Sequence, residues 1–376
     1  MAEEGDAFHY GAGLTYAWDS NLFRQDSASP GGAPSDNLAN YYGIVGFDKY
    51  IGRQELYGDF TIGRTKFSRF SQLDYDNQNI TTGWKGYFPH EIRTKLEWLR
   101  SQRLANFADL VVVRRNVITS DTLNLDLDVP VYANWHAVGG ADLVRIRNSH
   151  ELDQSNNLDG NGFEGGVRYV TPYGNRLDLV YRETESRFPD RVFTSITDTA
   201  YREHNADFRI YWQFSGSNSL EGRAGYLSRD HETLSYRNFS GPSFQLADTW
   251  QITASTMLVA RIYRKMGDAG DNAFNYAVTK GVRLEPTWNT TAKISVHGAL
   301  EWSDRRYLGN VYEDITGLPA FPDRDDKTFL GTLGVTYMPV RWMQLSADYR
   351  GERRNSNQAL LDYEDHLGSL TVQLMF

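Results

Sequence analysis

The chain has 376 residues, a formal net charge of −9, 40% hydrophobic residues and no cysteine, yet it holds 23 tyrosines, 19 phenylalanines and 9 tryptophans. The acidic balance excludes the concentrated basic surface that a nucleic-acid partner demands. A mean hydropathy of −0.55 is low for a chain of this length built on aliphatic cores. No window approaches the roughly 20 apolar residues of a membrane helix, the most apolar run being Leu110-Val111-Val112-Val113. The absence of cysteine suits an oxidising envelope compartment. The opening residues, Met1 to Asp6, contain neither a basic segment nor an apolar core. The expectation there is a mature start, with an initiator methionine in place of a secretion signal.

In chain order, a first strand over Phe8 to Ala17 leads into a long polar loop near 19–37, and tight-turn residues follow at 51–54 and 89–90. A loop near 101–121 carries Leu110 to Val113 and then Arg114-Arg115. Those valines need cover, so this loop is expected to fold into the mouth of the structure as a partial plug, with a buried helical turn or an extra strand as alternatives. Next, Leu123, Leu125, Leu127 and Val129 face one way while Asn124, Asp126 and Asp128 face the other, a period of two that a helix would scramble. The same alternation returns in Phe163, Gly165, Val167 and Tyr169, between a loop near 147–159 and a turn at 171–175. Loops near 185–199 and 229–239 flank a turn at 215–218. Beyond the turn at 289–291, Ile294, Val296, Gly298, Leu300 and Trp302 alternate, followed by a loop near 303–326. Phe329, Gly331, Leu333, Val335 and Tyr337 come next, then a turn at 339–341 and Met343, Leu345, Ala347 and Tyr349. A last loop near 351–361 precedes Leu370, Val372, Leu374 and the terminal Phe376.

Short turns alternating with long polar loops are how outer-membrane barrels arrange their periplasmic and extracellular faces. The expected fold is all-β, a single domain over 1–376. It is a transmembrane antiparallel up-and-down barrel of about 18 strands, with 16 as the alternative count and about 10 residues per strand. An even number leaves both termini periplasmic. Trp84, Trp135, Trp212, Trp250, Trp288 and Trp342 fall near short turns, and Trp18 and Trp302 beside long loops, as aromatic girdles would.

Asp19-Ser20-Asn21-Leu22-Phe23-Arg24, Asn238-Phe239-Ser240-Gly241-Pro242 and the hairpin running from Trp288-Asn289-Thr290-Thr291 to Ser295 resemble exopolysaccharide-biosynthesis outer-membrane proteins, the barrels that accompany exosortase-type gene clusters in Gram-negative bacteria. Where that family's hairpins read Trp-x-Pro-Thr, this chain has Trp250-Gln251-Ile252-Thr253 and Trp288-Asn289-Thr290-Thr291, without proline. The ending on Phe376 resembles the C-terminal signal by which outer-membrane barrels are recognised for insertion. The family resemblance implies an outer-membrane pore through which a growing polysaccharide leaves the cell. Its partners would be the polysaccharide, outer-membrane lipid or lipopolysaccharide, and periplasmic secretion or synthase proteins.

A sugar track needs hydrogen-bonding groups, aromatic faces and charge along a wet lumen. By alternation the inward bases are Lys85, Arg93, Lys95, Arg168, Arg182, Arg209, Arg223, Arg261, Arg283 and Arg350, with Tyr57, Tyr211 and Tyr263 among them. Inward acids are as many, including Glu97, Asp126, Asp128, Asp142, Glu164, Asp178, Glu285 and Glu301. Ordinary cross-strand pairing accounts for most of them. Arg93, Lys95, Arg168, Arg182, Arg209 and Arg223 are the chosen substrate contacts.

No nucleophile-elbow motif occurs, and His136, His204, His297 and His366 are scattered over different strands, so no enzyme activity, metal or cofactor is expected. The acid-rich stretches at 268–272 and 323–326 offer hard oxygens for Ca²⁺, although such runs are more often simply solvated. Two other readings compete with export: a general or substrate-selective diffusion porin, and an adhesive barrel that works through its loops.

Overall fold

In the computed structural model, which describes residues 7–108, 113–270, 273–316 and 322–376, the period-two segments become strands of one sheet. They are β1 (Phe8–Asp19), β2 (Asp36–Ile51), β3 (Gln54–Phe67), β4 (Tyr75–Tyr87), β5 (Arg93–Leu104), β6 (Val117–Tyr132), β7 (Trp135–Asn148), β8 (Leu158–Val170) and β9 (Arg176–Arg187). The second half continues with β10 (Ala200–Ser215), β11 (Asn218–His231), β12 (Phe239–Thr253), β13 (Thr256–Gly267), β14 (Phe274–Asn289), β15 (Ile294–Asn310), β16 (Arg324–Val340), β17 (Met343–Ser356) and β18 (Tyr363–Met375). Each strand pairs antiparallel with its neighbours in sequence, and β1 pairs with β18, which closes an 18-stranded barrel. Closure removes the free edges that an open sheet would present to lipid. The seam is completed at Phe376, whose amide donates to the Tyr10 carbonyl over 2.8 Å while its ring stacks on Trp342.

Alternation then sorts the two surfaces. On β1, Phe8, Tyr10, Leu14, Tyr16 and Trp18 are exposed on the outside, and on β6 so are Leu123, Leu125 and Leu127. Such a wall is stable only against lipid. Trp84, Trp135, Trp250, Trp288 and Trp342 gather on the outside at the end that holds the short turns, which is also the end where both termini lie. Between strands, two-residue turns at 52–53, 133–134, 216–217, 254–255 and 341–342 alternate with longer connections.

The strands run 12 to 17 residues, longer than the expected 10. The expected loops shrink to match: the one near 101–121 is 105–116, and the one near 303–326 lies between Asn310 and Arg324. The extra residues rise beyond the apolar belt, where both faces of a strand are polar and alternation leaves no trace in the sequence. Connections at 68–74 and 268–273 join the loop side.

Loop residues pack together at the mouth. Leu22, Phe23, Phe67, Leu73 and Phe107 form a buried cluster against which Val113 packs. The rings of Phe23 and Phe107 meet edge to face at 5.2 Å. The Ala108 carbonyl accepts from Arg354 Nη2 at 2.8 Å, although Arg354 belongs to the inner face of β17, on the far side of the mouth from β6. Arg114 grips Asp153 in the β7–β8 connection through two bonds, one of them 2.8 Å long. The described ends of the 105–116 connection, up to Ala108 and from Val113, are thus tied at the mouth, while residues 109–112, with Leu110 to Val112 of the expected plug, lie outside the described residues. The 19–24 motif anchors the same region: Arg24 bridges the buried Asp19 and Asp365, and Asn21 Nδ2 donates to the Glu364 carbonyl.

Candidate functional site in the barrel lumen

Register places all thirteen sequence-selected side chains on the inner face, and most are fastened to carboxylates on their own strand or one to two strands away. Arg168 spans two strands, holding Asp178 through Nε and Nη2 at 2.8 and 2.7 Å and Asp128 through Nη1 at 2.8 Å. Arg182 reaches Asp142 at 2.6 Å, and Arg209 holds both oxygens of Glu164 at 3.1 and 2.9 Å. Arg223 lies 3.7 Å from Asp207. Arg261 and Arg283 share Glu285 at 3.2 and 3.0 Å, and Arg283 continues to Glu301 at 2.7 Å. Lys85 pairs with Glu55 at 2.6 Å, Lys95 with Glu97 at 2.8 Å, and Arg350 with Glu352. Tyr57 donates to Glu97 and Tyr263 to Glu301. Arg93 stands exposed near the turn end, opposite Asp128 in the register.

The pairs are layered. Asp207 is 1% exposed beneath an Arg223 that is 51% exposed. Asp142 is 9% exposed beneath an Arg182 at 35%. Arg168 and Arg209 likewise stand above Asp178 and Glu164. In these four pairs the acid presses against the wall and the guanidinium group stands nearer the water, so a solute meets positive charge first there, whereas Glu285 is as exposed as Arg261 and Arg283. Bidentate geometry keeps the arginines rigid.

The layer is densest on β8–β13. There Arg168, Arg176, Arg209, Arg223, Arg261 and Lys265 line a recess of about 600 Å³ with Tyr211, Gln245, Asp178 and Glu221. Of the chosen contacts, this recess brings together Arg168, Arg209 and Arg223. Arg182 sits beside it on the next row, and Arg93 and Lys95 lie apart on β5. Arg176 and Lys265 were missed. Arg176 lies over the Tyr211 ring at 4.9 Å and Lys265 over Tyr263 at 4.8 Å, both held by cation–π contact and neither in an ion pair among the described residues. Their parity matches that of Asp178 and Arg261, so simple alternation would have found them.

Room for the inward rings comes from glycine. Gly281 lies directly opposite Tyr263, Gly83 opposite Tyr57 and Gly13 opposite Tyr42. A Cβ at any of the three would enter the facing ring. The tyrosines therefore lie flat on the neighbouring strand instead of projecting across the channel.

The acid-rich stretches are engaged elsewhere. Asp268 pairs with Arg229, and Asp326 with Arg324 and the Tyr307 hydroxyl, while Asp271 and Asn272 lie outside the described residues.

Residues 208–376, from within β10 to the end, match the family model described as "Putative beta-barrel porin 2". No curated protein matches the chain. Among solved structures the barrel is similar to Pseudomonas aeruginosa OccK2 (OpdF), with a TM-score of 0.54 at 9% identity over 98% of both chains. It is similar also to Acinetobacter baumannii OccAB3, with a TM-score of 0.53 at 10% identity over 98% of this chain and 99% of that one. For P. aeruginosa OccK9 (OpdG) the TM-score is 0.52 at 13% identity, over 98% of both. None of these likenesses supports the exopolysaccharide resemblance. At such identities what this chain shares with the Occ proteins is the fold, a closed antiparallel up-and-down barrel over nearly its whole length.

Proposed function

We propose that the chain is an outer-membrane porin for substrate-selective diffusion of small anionic solutes, carboxylates above all, with its short turns and both termini in the periplasm. The observation that carries this reading is the β8–β13 recess, where six cations line the wall against two carboxylates, Asp178 held under Arg168 and Glu221 exposed, while Asp207 lies buried beneath Arg223. A carboxylate entering it exchanges hydration for several prearranged N–H donors, and Arg176, Arg223 and Lys265, none of them locked by a bidentate carboxylate, can turn toward it. The substrate-path roles of the other sequence-selected residues belong to the same proposal, as supports that hold the layer in place.

Two structures with the same fold hold small carboxylates, P. aeruginosa OccK2 (OpdF) in complex with glucuronate and OpdK with vanillate. The 105–116 connection, tied from Arg114 to Asp153 and from Ala108 to Arg354, favours small solutes over a polymer. In planar bilayers under a KCl gradient the purified barrel is expected to be anion-selective, and glucuronate is expected to reduce its chloride current. Cation selectivity would overturn the reading.

A further inference from the structure

On the outer wall, at the loop-side edge of the apolar belt, β12–β15 enclose a groove of about 420 Å³ whose floor is Phe244, Ile262, Val282 and Trp302. All four are exposed on the lipid side. Arg264 and Lys280 form its upper edge and stand directly opposite each other in the register. The same row continues through Asp304 to Lys327 on β16.

Like charges directly opposed destabilise a sheet unless something neutralises them. The lumen answers this with carboxylates: the opposed pair Arg209 and Arg223 has Glu164 and Asp207, and the pair Arg261 and Arg283 has Glu285 and Glu301. On the outer wall of β5–β9, Arg100, Arg145 and Arg187 are matched by Asp121, Asp159 and Glu185. The β13–β16 row is different. Among the described residues no carboxylate lies within ion-pair distance of Arg264, Lys280 or Lys327. Arg264 donates to the Pro242 carbonyl, and Asp304, the acid within the row, has Arg306 at 3.6 Å.

We propose that this row and groove bind a bis-phosphorylated glycolipid of the outer leaflet, with acyl chains along Phe244, Ile262, Val282 and Trp302 and phosphates against the three cations. Strands about 4.8 Å apart put Arg264 and Lys280 within reach of one phosphate and Lys327 roughly 10 Å further along the row. One phosphodiester cannot bridge that span, whereas two phosphates at opposite ends of a sugar head can. Arginine and lysine above an apolar floor are the groups such a head requires. The inference rests on the outer-membrane placement proposed above and is independent of solute selectivity.

The test uses delipidated barrel in detergent, titrated with bis-phosphorylated lipid A, its dephosphorylated form and phosphatidylglycerol. Binding is followed by native mass spectrometry and by tryptophan emission, with Trp302→Phe as the control. One lipid A per barrel is expected. Affinity should fall about tenfold or more in Arg264→Gln/Lys280→Gln/Lys327→Gln, with channel conductance unchanged, which separates this site from the lumen. If the triple variant fails to fold, the exposed Lys280→Gln alone is expected to weaken binding about threefold. Equal affinity in the folded variant, or equal retention of phosphatidylglycerol or of the dephosphorylated lipid, overturns the proposal.

Discussion

Replacing Arg176, Arg223 and Lys265 together by glutamine removes charge from the lumen without exposing a buried acid. Arg176 and Lys265 rest on rings, and Asp207 beneath Arg223 keeps Arg209 at 3.8 Å. A unit charge about 8 Å from a permeating ion in water contributes about 0.5 kcal/mol, so three contribute about 1.5 kcal/mol. That corresponds to about a tenfold change in relative anion permeability at low salt. The Debye length of about 10 Å at 0.1 M means that the effect shrinks as salt rises. Reversal potentials in planar bilayers, measured under the same KCl gradient at 10 mM and at 1 M mean salt, give the ratio for both proteins. If the variant keeps the parent's reversal potential at low salt, the layered arginine wall does not set selectivity and the reasoning fails. Arg168→Gln is the contrasting change, because it strands the nearly buried Asp178, while Asp128 keeps His136 at 2.6 Å. It should cost about 3 kcal/mol of stability, far more than Arg223→Gln, in heat-denaturation of the folded band.

Three further outcomes follow from particular contacts. Phe107→Ala empties the space beside Phe23, worth about 3 kcal/mol locally; faster proteolysis within 105–116 and a larger single-channel conductance are expected, and no change in either would mean the connection does not narrow the mouth. Gly281→Val pushes Tyr263 off β14 and breaks its bond to Glu301, so the melting temperature should drop by an amount equivalent to about 1–3 kcal/mol, and an unaltered melting curve would count against the flat-ring arrangement. Asp198, outside the strands, is buried, which works against its charge, but amides of Leu234, Thr233, Thr199 and Ala200 hold its carboxyl below the usual range. A lowered folded pKa gives stability that is complete above the unfolded value near 4 and is lost as pH falls through the folded value. Hydrogen exchange at Thr233 and Leu234 should therefore stay slow at neutral pH and quicken below about pH 4, while Asp198→Asn quickens it already at pH 7; pH-independent protection in the parent would refute this.

Where the sequence was legible, the physics was one-dimensional. Leu123 to Val129 can be sorted into outer and inner faces because a strand has a period of two and lipid lies on one side. That rule alone places Lys85, Arg209 and Tyr263 inward. It fails above the belt: at Asp121, Arg145, Asp159 and Arg187 the outer face turns polar, so strand ends read as loop and 12–17-residue strands read as about 10. The candidate site was legible in its parity but not in its depth. Nothing local to Arg223 or Asp207 says which is buried; that is decided by side-chain length and by Gly225 opposite Asp207, which leaves the carboxylate room against the wall. The bond from Arg354 to Ala108 joins residues 246 apart and depends on barrel closure.

The long strands also bear on how the barrel sits. Crossing hydrocarbon takes about 9–11 residues of a tilted strand, so β15 and β16, at 17 each, have about six to spare. The surplus is all at the loop end, because the turn end stops at Trp288, Trp342 and Phe376 beside two- to five-residue connections. Arg306 on β15 and Asp325 on β16 project outward on that surplus, 3.7 Å apart. An exposed pair of this kind is cheap in a wet, charged layer and costly in acyl chains. The outside therefore has two unlike ends, a thin aromatic rim and a deep charged collar. A barrel built this way fits a bilayer whose loop-side leaflet has the thicker and more highly charged head region. Inverted, it would set Arg264, Lys280 and Lys327 against the leaflet with less phosphate, leaving the opposed cations of the row unneutralised.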